Sequence, residues 1–183
     1  MHKVYPLDDR ALAVRIKEAN EYFAANKRVY TYSGPKIRTP DSLAPFTINR
    51  DFTITADLEI PNKGAEGVLV ADGGRFGGYT LFIKDSKLTY QYNYAGIIYT
   101  VVAREKMPTG QVRVAMDFQQ TGDFQGLAQL FINGKQVGSG TIEKTIPFLF
   151  SISECFDVGS DTITPVSADY QSPYAFTGKL KQL

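Results

Sequence analysis

The sequence predicts a mainly β protein, an antiparallel β-sandwich preceded by one N-terminal helix. Two observations favour the sandwich. Apolar residues alternate with polar residues along several segments, which is the period of a half-buried strand. Turn residues separate these segments at spacings of roughly 8–12 residues, which is typical of sandwiches and barrels. Only the first segment repeats its apolar residues with the period of a helix instead.

The N-terminal segment has the pattern of an amphipathic helix. Asp8 or Asp9 can begin this helix by accepting a backbone N–H, and a carboxylate suits the positive end of the helix dipole. The apolar residues at helical spacing are Leu12, Ile16, Ala19 and Phe23. Asn26 can end the helix in a left-handed conformation. We therefore expect a helical lead-in over residues 1–28 and a β-sandwich domain over residues 29–183.

From residue 29 onward the apolar period is two. The clearest alternating rows cover residues 52–60, 88–94 and 112–118. Further strands are predicted at residues 67–71, 79–83, 97–102, 127–132, 136–142, 148–151 and 174–180. Asn133-Gly134 predicts a type I′ hairpin turn, because both central residues of that turn need positive φ. Asp85-Ser86 and Thr109-Gly110 indicate weaker turns.

Length and charge limit the classes of function. The 183 residues fit one domain, and 20 basic against 19 acidic residues leave a net charge of +1. A nucleic-acid-binding domain usually has a basic footprint, which this chain lacks. No apolar run reaches the roughly 18–20 residues of a membrane helix. We expect neither a nucleic acid nor a membrane as a partner. The charged N-terminus does not resemble a signal peptide, so localisation stays open, with a periplasmic or secreted parent protein compatible.

The chain has few residues for catalysis. Cys155 is its single cysteine and His2 its single histidine. One cysteine allows neither an internal disulfide nor a cysteine-rich zinc site, and a terminal histidine leaves none for a triad. We expect no catalytic residue and no cofactor in this chain, with a buried and inert thiol at Cys155.

Asp57 and Glu59 are the one carboxylate pair that suggests an enzyme. They lie two residues apart on a predicted strand, so both side chains share one face. Retaining glycosidases need two carboxyl groups about 5–5.5 Å apart, which makes a small glycoside hydrolase a weak alternative. Pro61 ends the strand before a third acid could follow. We therefore expect a solvated sheet face.

The run Gly73-Gly74-Arg75-Phe76-Gly77-Gly78 is rich in glycine. A phosphate-binding loop would need a Lys-Ser/Thr end followed by a helix, and a strand is predicted here instead. The sequence therefore predicts a tight turn whose glycines have positive φ. Arg75 within this turn is a candidate to bind an anion or a partner's carboxylate.

A row of tyrosines, Tyr79, Tyr90 and Tyr92, has two interpretations. Tyrosine combines an apolar ring with a polar tip, so these side chains could form a platform on which sugars stack. The chain contains no tryptophan, which is the strongest stacking residue. Packing in the core is the favoured alternative.

Asp157 and Asp161 are candidate calcium ligands, because carboxylates in a loop are the hard oxygen donors that calcium prefers. Their spacing does not match an EF-hand. Capping of turns in a long surface loop is the favoured alternative.

Three segments resemble the C-terminal region of bacterial arylsulfatase-type, formylglycine-dependent sulfatases. They are YPLDDR, GVLVADGGRFGGYTLFIKDSKLTYQYNY and TIPFLFSISECFDVGSDTITPVSADYQSPYAFTGKL. The resemblance covers almost the whole chain in order. It implies a concanavalin-like, laminin-G-like sandwich of the jelly-roll type, which agrees with the strand pattern.

The catalytic parts of that family are missing from this sequence. Family activity lies in an N-terminal domain with a C-x-P-S-R segment beside a calcium ion, and Cys155 is followed by Phe-Asp-Val. The resemblance implies a non-catalytic accessory domain that packs on a sulfatase catalytic domain or on another copy of the chain. A stand-alone carbohydrate-binding module is the alternative.

Overall fold

The computed structural model describes residues 10, 11, 14, 18, 29–40, 43–151 and 153–183. Over these residues the chain forms eleven strands in two sheets. The strands are β1 (Lys36–Thr39), β2 (Phe52–Ile60), β3 (Gly67–Gly74), β4 (Gly77–Lys84), β5 (Lys87–Tyr94), β6 (Ile97–Val102), β7 (Gly110–Gly122), β8 (Gln125–Ile132), β9 (Lys135–Ile142), β10 (Phe156–Val158) and β11 (Lys179–Gln182).

Both sheets are antiparallel. Sheet A has the strand order β1-β10-β3-β4-β5-β6, and sheet B has the order β11-β2-β7-β8-β9. Every pair of neighbouring strands runs antiparallel. The predicted fold class, a mainly β antiparallel sandwich, is confirmed.

The core lies between the two sheets and follows from the alternation in the sequence. Along β2, Ile54, Ala56 and Leu58 are buried, while the residues between them are exposed or half-buried. The Phe52 ring joins the sheets, with its centroid 5.5 Å from that of Tyr79 in sheet A. Alternation therefore places one face of sheet B in the core and leaves the other to solvent.

Sheet A differs because both of its faces are covered. Nearly every residue of β3, β4 and β5 is buried. Residues 159–178, which we call the covering segment, lie over the outer face. There Val166 and Tyr170 form a second apolar cluster with Val68 and Phe82. Polar side chains that alternate outward on sheet A are thereby removed from solvent.

Most predicted strands and turns are present. Asp85-Ser86 and Asn133-Gly134 have positive φ throughout, as the hairpin turns require. Residues 148–151 were expected to form a strand and do not, and residues 174–180 contribute to a strand only from Lys179. The short strands β1 and β10 carry no alternating signal and were missed.

The predicted N-terminal helix is not seen as an element of the described structure. Most of its residues, including the proposed capping residues and apolar stripe, lie outside the described ones. Val14 and Glu18 have helical backbone, and the Val14 N–H donates to the Ala11 carbonyl oxygen at 2.9 Å. The domain boundary at residue 29 stays a prediction. Within the described residues, no helix combines the length and hydropathy needed to cross a membrane.

Candidate functional site

One end of the sandwich gathers loops from distant parts of the chain. The β3–β4 turn contacts the covering segment, because the Arg75 N–H donates to Thr164 Oγ1 at 3.0 Å. The connection between β9 and β10 reaches the β7–β8 turn, since the Thr145 N–H donates to the Phe124 carbonyl oxygen at 2.7 Å. We call this surface the loop end.

The β3–β4 turn presents Arg75 and Phe76 at the loop end. Gly73 and Gly78 flank the turn with φ of +91° and +143°, so the predicted turn with positive-φ glycines is confirmed. A Cβ on Gly78 would lie 2.0 Å from the Asp72 carbonyl oxygen, which only glycine avoids. The glycines thus allow β3 and β4 to approach each other closely next to the exposed side chains of Arg75 and Phe76.

Asn93, a buried residue that the sequence did not single out, fixes this turn. Its Nδ2 donates to the carbonyl oxygens of Arg75 at 2.9 Å, Val166 at 3.0 Å and Gly74 at 3.3 Å. Its Oδ1 accepts from the Gly96 N–H at 2.8 Å. One side chain therefore ties the β3–β4 turn, the β5–β6 turn and the covering segment together.

The loop end concentrates the exposed apolar side chains. Six of the eleven large apolar side chains that are exposed among the described residues lie there: Phe76, Ile97, Phe124, Phe148, Leu149 and Ile163. Phe76 is 80% exposed at the tip of its turn. Large exposed apolar patches are a common feature of interaction surfaces.

Arg75 is available to a binding partner. Across the described part of the chain, no carboxylate lies within salt-bridge distance of its guanidinium group. The nearby Glu154 is already engaged, because its two carboxylate oxygens accept from the Thr164 hydroxyl at 2.7 Å and the Thr164 N–H at 3.2 Å. Arginine beside aromatic side chains is a composition that protein interfaces favour.

The candidate tyrosines lie in the core. Tyr79, Tyr90 and Tyr92 are 1%, 0% and 3% exposed, so their rings offer no accessible face for a sugar. Burial raises the pKa of all three phenols. Tyr92 also supports the loop end, because its hydroxyl oxygen accepts from the Ile146 N–H at 2.9 Å.

Asp157 and Asp161 accept hydrogen bonds inside the protein. Asp157 accepts from the Arg38 N–H at 2.5 Å and from the Thr162 N–H at 2.8 Å. Asp161 accepts from the Val166 N–H at 3.0 Å, and burial raises its pKa. Both carboxylates are buried, and Asp157 lies on β10 rather than in the surface loop that the sequence predicted. Among the described residues, no three potential metal-ligating side chains of His, Cys, Asp or Glu come together.

Asp57 and Glu59 lie on the outer face of β2, each beside a cation. The Arg113 guanidinium binds Asp57 through two hydrogen bonds, at 2.8 and 2.9 Å, and Lys181 Nζ lies 3.7 Å from Glu59. This arrangement is typical of a solvated sheet face. Cys155 is half-buried, so its expected burial was wrong.

Comparison with known proteins identifies the fold. No family model matches the chain, and no curated protein matches it. Among solved structures, domains LG4-5 of the mouse laminin α1 chain have a TM-score of 0.57 and 10% sequence identity over 98% of this chain. The fold is a laminin-G-like β-sandwich. This laminin-G-like chain spans 46% of the length of that neighbour. The comparisons give no support to a sulfatase origin.

Proposed function

We propose that the chain is a non-catalytic accessory module that packs on a separate protein domain through its loop end. The observation that carries this proposal is the concentration of exposed apolar side chains around Arg75. Burial of apolar surface drives association, and the guanidinium adds a directed contact to a carboxylate. The partner would therefore present an apolar face with an acidic residue near its centre.

The partner that the sequence resemblance implies is an arylsulfatase-type catalytic domain. Sulfate-ester hydrolysis needs a strong nucleophile and fixed positive charge at the developing oxyanion. Cys155 lies outside the C-x-P-S-R pattern, and the acids on β2 are bound to cations. These features support an accessory role in which the chemistry belongs to the partner.

A titration tests the proposal. The chain is titrated calorimetrically into a purified arylsulfatase-type catalytic domain that contains C-x-P-S-R and comes from the same genome. We expect binding, and Phe76→Ser should weaken it about tenfold, which corresponds to about 1.4 kcal/mol. The matched control is Val102→Ser, because Val102 is an exposed apolar residue on β6. Equal affinities for both variants, or no heat of binding, would contradict the proposal.

Carbohydrate binding is a second candidate, on the outer face of sheet B. Asp117, Gln119 and Gln129 alternate outward there, and the half-buried Phe131 lies on the same face. Amide and carboxylate groups can bind sugar hydroxyls while an aromatic ring stacks on the sugar. A screen against sulfated and neutral oligosaccharides tests this candidate, which needs a hit that Phe131→Ala abolishes.

A further inference from the structure

Sheet B is incomplete along the first half of β2. On one side of β2, β7 pairs with every residue from Phe52 to Ile60. On the other side, β11 pairs only with Glu59, Leu58 and Asp57. Among the described residues, no strand pairs with residues 52–56 on this second side.

Residues 29–32 lie opposite this open edge of β2. The Tyr32 N–H donates to the Leu183 carbonyl oxygen at 2.8 Å, and the Leu183 N–H donates to the Tyr32 carbonyl oxygen at 2.9 Å. Because Gln182 pairs with Asp57 on β2, the line of β11 runs between β2 and residues 29–32. The direction of β11 beyond Leu183 leads into a cavity of about 650 Å³, which is lined by residues of β2 and by residues 29–32.

The backbone of β2 turns hydrogen-bonding groups into this cavity. The Arg113 carbonyl oxygen accepts from the Asn133 N–H at 2.7 Å, so the Arg113 backbone faces β8. Successive residues of a strand direct their backbone groups to alternate sides. Thr53 pairs with Asp117 of β7, and Thr55 pairs with Ala115. Asp117 and Ala115 lie four and two residues beyond Arg113, so their backbone groups also face β8. The N–H and C=O groups of Thr53 and Thr55 must consequently face the cavity.

The side chains around the cavity define what can enter it. Phe52 and Tyr32 present half-buried rings on the inner side, while Thr53 and Thr55 are exposed on the outer side. Charged side chains at the cavity, such as Asp57 and Arg113, form an ion pair with each other. The charge of the cavity therefore does not favour an acidic or a basic ligand. A strand in this position would place apolar side chains inward and polar side chains outward.

We propose that this cavity binds an extended peptide of about five residues from a partner protein, antiparallel to β2 and in line with β11. At about 3.3 Å per residue in both strands, five residues match the five open residues 52–56 of β2. The main-chain groups of Thr53 and Thr55 supply affinity, and apolar residues alternating with polar ones supply selectivity, as in other cases of strand addition. This inference concerns a surface separate from the loop end and does not rest on the proposed function.

Amide hydrogen exchange measured by NMR tests the inference. In the free chain we expect the Thr53 and Thr55 amides to exchange at least about tenfold faster than those of Ile54 and Ala56, which face β7. The probe is acetyl-Thr-Val-Thr-Val-Thr-amide at millimolar concentration. We expect it to slow the exchange of Thr53 and Thr55 about tenfold.

A matched peptide keeps the test specific. The same peptide with N-methylated threonines has the same side chains but lacks the three main-chain donors that would face β2, and we expect it to leave exchange unchanged. Three results would overturn the inference. These are no slowing by the first peptide, equal slowing by both peptides, and slow exchange of Thr53 and Thr55 in the free chain. The last result would show that residues of this chain or a second copy already pair with β2.

Discussion

Replacing Asn93 with leucine should destabilise the whole domain, although the side chain lies outside the apolar core between the sheets. The change removes the donor shared by the carbonyl oxygens of Gly74, Val166 and Arg75, and the acceptor of the Gly96 N–H. Leucine has the same number of side-chain heavy atoms as asparagine, branched at the same carbon, so loss of hydrogen bonds is the main effect.

The magnitude follows from which of these groups water can reach. The bonds to Gly74 and Val166 are buried, and a buried polar group without a partner costs about 1–3 kcal/mol. The bonds to Arg75 and Gly96 are partly buried, so those two groups can bind water instead. We expect a loss of about 2–6 kcal/mol in the free energy of unfolding.

Thermal unfolding followed by circular dichroism measures this loss. For a chain of this length, 1 kcal/mol lowers the Tm by about 2–4 °C, so a loss of about 2–6 kcal/mol in Asn93→Leu should lower it by about 4–24 °C. The matched control is Asn62→Leu, since Asn62 is exposed in the β2–β3 connection and should lose little. A Tm for Asn93→Leu as high as that of the control would contradict the stabilising role that we assign to the Asn93 hydrogen bonds.

Three further predictions concern the core and the two buried carboxylates Asp157 and Asp161. Ile54→Asp buries a carboxylate without a partner and should cost more than about 3 kcal/mol, whereas Thr55→Asp on the exposed face should be tolerated; equal Tm values would remove this assignment of faces. Burial raises the pKa of folded Asp161 above its ordinary value of 3.8, so its protonation favours the folded state and its contribution to stability falls as pH rises through the raised pKa. The Tm of the native chain relative to that of Asp161→Asn should therefore fall as pH rises above about 3.8, and a rise would contradict this assignment. Because the Asp157 and Asp161 carboxylates already accept hydrogen bonds from backbone N–H groups, EDTA should leave the Tm unchanged, and a fall of several degrees that calcium reverses would show a calcium site.

The alternation of apolar and polar residues predicted the strands that have one buried and one solvent-exposed face. The row at residues 52–60 became β2 with the expected buried face, because a period of two leaves a single way to bury Ile54 and Leu58. The sequence could not reveal that the outer face of sheet A is covered. Asn93 and Gln91 alternate outward and are typical of a wet face, yet their partners lie in the covering segment, more than seventy residues away.

The loop end was hidden for a related reason. Arg75 could be selected because glycines surround it, but its neighbours at the loop end come from turns far apart in the chain. Phe148 and Leu149 belong to an apolar run that predicted a strand, and instead both are exposed in a loop. Which apolar residues a loop exposes depends on long-range packing, which no local period encodes.

The most direct measurement of the proposed docking surface is site-specific photo-crosslinking to the arylsulfatase-type catalytic domain. The photoreactive amino acid p-benzoylphenylalanine is placed at Phe76 in one sample and at Val102 in another, both of which are exposed apolar positions. If the loop end is the docking surface, illumination should join the two proteins from position 76 and not from position 102. Crosslinking from position 102 alone, or equal yields from both positions, would contradict an accessory module that docks through its loop end.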